Sequence, residues 1–353
     1  MTVDYVVVGQ GICGTFLSWN LIKQGKKVLV IDESKPFTSS KIASGVINPV
    51  TGRRIVRTWK IEDILPFAEA AYQELETELN ASFIRHCNVV DFHSTPQMRN
   101  AFEERIAEGE TYLKHHDESN WKPYLNFIYG VGEVDPTLLI DLNILLSNWR
   151  KKLSEQNSIV EEQFDMSLLD VYPDHITYKD VSASKIIFCD GVSSYNNPYF
   201  SLLPFAPNKG EALIVEIPGL PRTNILKQGI SIVPWQDDLF WVGSSFQWAF
   251  NDDKPSEGFR IKTEQSLRFW LKLPFKVVEH LAAVRPATIE RRPFVGMHPQ
   301  QTSVAIFNGM GTKGCSLAPY FSHEFAQHLV NEKPLTPEVD VQRFRRILSQ
   351  LPL

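Results

Sequence analysis

The chain has 353 residues, 43% hydrophobic and 11% aromatic, enough apolar content for a large core and too much length for one compact α/β unit. A net charge of -5 and an isoelectric point near 6.0 leave no global attraction for polyanions and argue against a general nucleic-acid binder. No run approaches 18 uncharged apolar residues and no secretory leader pattern opens the chain, so neither a membrane span nor export is expected.

The first strand is expected over Tyr5–Val8, running into glycines spaced G-x-G-x-x-G at Gly9, Gly11 and Gly14. A helix over Thr15–Gln24, a stop at Gly25 and a second apolar run, Val28–Ile31, follow, closed by Asp32 18 residues after Gly14. In this context Gly9 permits the turn, Gly11 lets backbone approach a pyrophosphate, and Gly14 lets the helix pack on the strand. The helix N-terminus offers unpaired N–H groups to phosphate, and Asp32 can accept hydrogen bonds from ribose hydroxyls. The pattern predicts a dinucleotide site. Residues 33–49 are rich in hydroxyl and small side chains, including Ser39, Ser40, Ser44, Gly45 and Asn48, and suit a loop lying against a flat ligand. Arg53, Arg54 and Arg57 add positive charge just beyond, available to phosphate or an acidic substrate, or forming a solvated turn.

An amphipathic helix is expected over Ile64–Leu79, then short strands and a helix near Phe102–Leu113. His115 and His116 are adjacent, point different ways and have no ligand at metal spacing, so they read as a solvated loop and no metal is expected. Asp135 followed by Pro136 reads as the cap and first turn of a helix reaching Leu153. Strands are expected over Ser158–Phe164 and Ser184–Phe188, the second ending in Cys189, Asp190 and Gly191. Residues 204–268 read as β-rich, with runs at Glu211–Ile217, Ser231–Pro234 and Leu239–Ser244. Trp235, Trp241, Phe246 and Trp248 there serve either core or pocket wall. A rigid crossing over Ala282–Gly296 carries Arg285; a strand over Ser303–Phe307 meets a loop with Gly309, Gly311, Thr312, Lys313 and Gly314, and a helix spans Tyr320–Leu329. The dispersed cysteines, Cys13, Cys87, Cys189 and Cys315, read as free thiols in a reducing cytoplasm.

In their order and spacing these motifs resemble the D-amino-acid oxidase-like family of FAD-dependent oxidoreductases, end to end. The resemblance implies an α/β protein: a Rossmann-like FAD-binding domain (1–80, 132–198 and 282–353) interleaved with a mixed or antiparallel substrate domain (81–131 and 199–281). It implies FAD with its ADP half on Gly9, Gly11, Gly14 and Asp32, and its ring between residues 44–48 and 311–314. Ser39, Ser40, Asp190, Gly191, Gly309 and Thr312 complete the implied cofactor contacts. The implied reaction is hydride transfer from the carbon beside nitrogen of a small amine or amino acid to flavin N5, with oxygen or a quinone as electron acceptor. Arg285 matches the arginine that clamps a substrate carboxylate, and Lys313 stands where amino-acid oxidases carry another arginine. Ser231 and Ile232 replace a tyrosine often found in the mixed sheet. Residues 44–49 and 309–319 also resemble the FAD oxidase domain of a tRNA wobble-uridine-modifying enzyme, which keeps tRNA as an alternative partner. A flavin-binding protein without turnover is the non-enzyme alternative.

Overall fold

The computed structural model describes residues 1–52 and 54–350. Its first sheet is built on five parallel strands in the order Ile159–Val160, Val28–Ile31, Thr2–Val8, Val181–Phe188 and Val304–Asn308. A parallel sheet is covered on both faces, so its strands read as continuous apolar runs, and Val6, Val7, Val30, Ile186, Ile187 and Ile306 are fully buried. Helices Ile12–Lys23, Ile61–Leu79, Leu142–Glu155 and Gly314–Asn331 pack one face. The hairpin Leu169–Val171 with Ile176–Tyr178, residues 199–205 and the C-terminal turns cover the other.

The second sheet has eight strands: Lys276–Arg285, Asn208–Glu216, Leu239–Gly243, Ile230–Pro234, Ile225–Gln228, Val89–Phe92, Val131–Val134 and Leu113–His115. Pairing is antiparallel except between Ile225–Gln228 and Val89–Phe92. One face packs on the helix Glu257–Trp270. The other, through Ile214, Trp241, Val233 and Val89, packs on Ile42 and Val50 of the loop after the second strand. A three-stranded ladder, Val46–Ile47, Leu138–Ile140 and Ile84–His86, joins the sheets. No helix among the described residues is long and apolar enough to cross a membrane.

Several expected elements differ. Pro136 leads into the strand Leu138–Ile140, not a helix; the helix starts at Leu142, capped by Asp141 Oδ1 accepting from Ile144 N at 3.0 Å. The apolar stripe from 138 onward belongs to two elements, because Leu138, Leu139 and Ile140 are all buried as a strand. Residues 204–268 are not uniformly β: Ser256 caps a helix over Glu257–Trp270 whose inner face is Thr263, Leu267 and Trp270. The helix near residue 102 is Pro96–Ala107, and the strand at 158–164 shrinks to Ile159–Val160. The last helix begins at Gly314, six residues before Tyr320, making Lys313 its cap residue. His115 ends a strand, and His116 is half-buried between Glu133 (3.1 Å) and the Trp121 indole (2.9 Å), so the pair is not a solvated loop.

Candidate active site

The glycines of the first turn are fixed by contact. Gly9 has φ +97°, and a Cβ there would lie 2.7 Å from the Cys189 carbonyl oxygen. A Cβ on Gly14 would lie 1.8 Å from the Gly9 carbonyl, so only glycine lets the helix start this close to the strand. The Ser40 hydroxyl reaches this helix N-terminus, accepting from Ile12 N at 3.0 Å; Ser39 precedes it in the same half-buried turn. Asp32 accepts from Gln10 N (2.8 Å), Ser34 N (2.9 Å) and Arg150 Nη1 (2.7 Å). Arg150 also touches Gln10 Oε1 (3.1 Å) and Glu161 (2.7 Å). No local motif marks Arg150, which meets Asp32 across 118 residues.

Gly45 has φ +77°, and a Cβ would lie 1.9 Å from the Ile140 carbonyl, pressing the loop onto the joining ladder. Trp241 ties down the same loop from the second sheet, donating to the Ile42 carbonyl at 2.9 Å. Asn48 accepts from Val50 N at 3.1 Å, bracing the loop's far end. Ser44 opens on a cleft of about 220 Å³ with Arg85, Asp141, Trp235 and Gln236 on its wall. The glycine-rich loop approaches from the other side. Gly311 N donates to the Pro286 carbonyl at 3.1 Å, and a Cβ on Gly314 would lie 3.1 Å from Ile12 Cγ2. The last helix therefore starts against the start of the first. Lys313, at that start, has no hydrogen bond or ion pair among the described residues, and burial lowers its ammonium to about 8.

Asp190 closes the strand Val181–Phe188 and hydrogen-bonds the Ser194 hydroxyl. Asn308 donates to Ser194 Oγ (2.9 Å) and the Gly191 carbonyl (2.8 Å), and accepts from Gly309 N (2.8 Å). No cation offsets the carboxylate among the described residues, and burial raises it to about 6.

Arg285 ends the edge strand of the second sheet, opposite Asn208. Its guanidinium lies over Gly210, where a Cβ would come within 1.9 Å of Nη2. Nη1 donates to Asn208 Oδ1 (2.7 Å) and the Ser245 carbonyl (3.1 Å), and Phe246 stacks at 4.8 Å. No carboxylate meets Arg285 among the described residues; burial alone lowers it to about 10. Asn208 is 2% exposed with Nδ2 unpartnered beside the guanidinium, a residue no sequence signal singles out. Of the four aromatics, Trp241 is core, Trp235 lines the cleft, Phe246 covers Arg285 and Trp248 is exposed. Arg57 is bound to Glu62 (2.6 Å) and Glu110 (2.8 Å), which corrects its reading as a cation available to phosphate; Arg53 lies outside the described residues. No cluster of metal-ligating side chains occurs among the described residues.

Residues 4–328 match the family described as FAD dependent oxidoreductase (DAO). The chain is 21% identical to glycine oxidase of Bacillus subtilis over 340 residues, covering 90% of each. It is 21% identical to the bifunctional protein ThiO/ThiG of Trichormus variabilis, matching over its whole length but spanning only 57% of that relative. Glycine oxidase of Geobacillus kaustophilus superposes with a TM-score of 0.77 at 16% identity, covering 95% of this chain and 96% of that one.

Proposed function

The chain belongs to the DAO family of FAD-dependent oxidoreductases, and from that premise we propose that it oxidises the C–N bond of a small carboxylated amine or amino acid held by Arg285. The observation that carries this reading is a half-buried guanidinium with no acid beside it among the described residues. A planar fork of donors in that state is matched to a carboxylate, and a charge left unpaired in the interior costs stability until one arrives. Glycine oxidase, similar in sequence and fold, acts on a carboxylated amine by its name.

The residues present fit FAD. Gly9 and Gly14 let the first helix start tight against the first strand, so that its N-terminal N–H groups can face a pyrophosphate, and Asp32 stands beyond it to accept from a ribose. When bound, FAD supplies the hydride acceptor, flavin N5. The protein's contributions are then distinct. Arg285, with Asn208 bracing one nitrogen, fixes the carboxylate and so the direction of the carbon–hydrogen bond. Lys313, at a helix N-terminus, places positive charge where two loops converge and favours negative charge there. Phe246 stacks on the guanidinium and shields one of its faces. Residues 1–80, 132–198 and 282–353 hold FAD in this reading, and 81–131 with 199–281 hold the substrate. Electrons pass on to oxygen or a quinone, and four unpaired cysteines suit a reducing cytoplasm.

The test is anaerobic bleaching of the oxidised flavin band, at roughly 450 nm, by pools of amino acids and N-methylated amino acids. One pool should bleach it. Arg285→Met should then raise KM for that amine roughly 30-fold or more, because removing one partner of a buried charge pair costs about 2–5 kcal/mol. An unchanged KM in a variant that retains flavin would remove the clamp.

A further inference from the structure

The chain leaving the strand Leu239–Gly243 runs as a strap over residues 244–256 before the helix Glu257–Trp270 begins. Its first residues complete the seat of Arg285. The Ser245 carbonyl accepts from Arg285 Nη1 at 3.1 Å, and the Phe246 ring stacks on the guanidinium at 4.8 Å. With Asn208 Oδ1 also on Nη1, at 2.7 Å, both hydrogens of that nitrogen are committed. What remains for a substrate carboxylate is the edge formed by Nε and Nη2. The strap therefore selects the edge that the arginine presents.

Little apolar packing holds the strap. Most of its residues are exposed, Phe246 and Trp248 by 60% and 61%. Instead, both of its ends close on one residue, Glu211. At the near end Glu211 N donates to Ser245 Oγ (3.0 Å), and Ser245 N donates to the Glu211 carbonyl (3.3 Å). At the far end Ser256 N and Oγ donate to the Glu211 carboxylate at 2.6 and 2.7 Å. Between them Lys209 exchanges backbone hydrogen bonds with Gln247 (2.9 and 3.0 Å), and its ammonium lies 3.5 Å from Asp252. Strand alternation turns Glu211 to the opposite face from Gly210 and the guanidinium above it, so its side chain does not meet the substrate. That side chain is fully buried, with His280 Nε2 at 3.0 Å and Lys209 Nζ at 3.9 Å. A carboxylate out of water persists only where donors surround it, and here two of them are the end of the strap.

We propose that Glu211 is a positioning residue for substrate binding: by closing the strap at both ends it seats the Ser245 carbonyl on Arg285 Nη1, and so fixes the edge on which the substrate carboxylate docks. This rests on the amine-oxidation reading above and adds the residue that sets its preference for an acid. A loosened strap frees Nη1 and lets the guanidinium turn. The carboxylate then binds without a fixed direction, and the carbon–hydrogen bond loses its aim.

The holoenzyme is reduced anaerobically with sarcosine and with sarcosinamide, which carries a neutral amide in place of the carboxylate. The wild type should prefer sarcosine. In Glu211→Gln, which keeps one acceptor and loses the charge, the apparent dissociation constant of sarcosine should rise roughly tenfold, the scale of one charge-assisted contact, while that of sarcosinamide should change by less than about threefold. Ser256→Ala should show the same bias more weakly, and Ser256→Thr should restore the wild-type preference. Hydrogen exchange of the strap amides should quicken in Glu211→Gln and Ser256→Ala with no amine present. If Glu211→Gln loses its flavin, the two Ser256 variants carry the comparison, since they leave the carboxylate in place. Variants that weaken both amines alike, or that leave the constant for sarcosine unmoved, overturn the inference while reduction by sarcosine leaves amine oxidation standing. Failure of both amines to reduce the wild-type flavin overturns both.

Discussion

Asp190→Asn should stabilise the apoprotein at neutral pH and do nothing in acid. Burial raises the folded carboxyl to about 6 against an ordinary 3.8; Ser194 and Asn308 are its side-chain partners, and no cation offsets it among the described residues. Below about 3.8 both folded and unfolded chains carry the proton, and the charge costs nothing. Between 3.8 and 6 the unfolded chain releases it first, so stability falls as pH rises; above 6 both are ionised and the full cost persists. The rise from 3.8 to about 6 is worth about 3 kcal/mol at ~1.36 kcal/mol per tenfold change in proton affinity, and the residue's partial exposure reduces this to roughly 1–3 kcal/mol. The asparagine keeps the shape and removes the charge. Urea unfolding of both apoproteins at pH 4 and pH 7 gives the comparison. The variant should be more stable by that amount at pH 7 and by no more than about 0.5 kcal/mol at pH 4. Parallel curves, with the same offset at both pH values, would show that Asp190 is not a buried uncompensated acid.

Gly14→Ala should lose FAD: the new Cβ would sit 1.8 Å from the Gly9 carbonyl, so the helix must move off the strand, and the ratio of flavin to protein absorbance should collapse. Arg150→Ala should weaken FAD binding roughly tenfold in equilibrium dialysis, since Asp32 loses the guanidinium that holds its carboxylate at 2.7 Å; an unchanged Kd would make Arg150 a surface brace. Lys313→Met should remove a pH inflection near 8 from the rate of anaerobic flavin reduction. The ammonium is present below that pH and lost above it, so the wild-type rate should fall as pH rises through 8 and the variant's should not.

What could be read from the sequence was what depends on local sterics. The turn at Gly9 and the close approach at Gly14 need glycine whatever surrounds them, and both contacts are present. The helix Glu257–Trp270 was missed although Ser256 is an ordinary cap and residues 263, 267 and 270 share a face; its charged outer surface masks that stripe. The misplaced helix start at Pro136 has the opposite cause, one apolar stripe serving a strand and then a helix. Arg150 and Asn208 carry no motif. Each acquires meaning only from a partner 77 or 118 residues away, a pairing that one sequence cannot display.

The contact between Gly314 and Ile12 also sets the order in which the protein can be made. The first helix leaves the ribosome 302 residues before the helix that covers it. At ~5–20 residues per second that is a wait of about 15–60 s. Throughout it the first helix lacks the cover of the last one, although Phe16 can already pack on Trp19 and Tyr72. The first helix therefore completes its packing only when the chain is nearly finished.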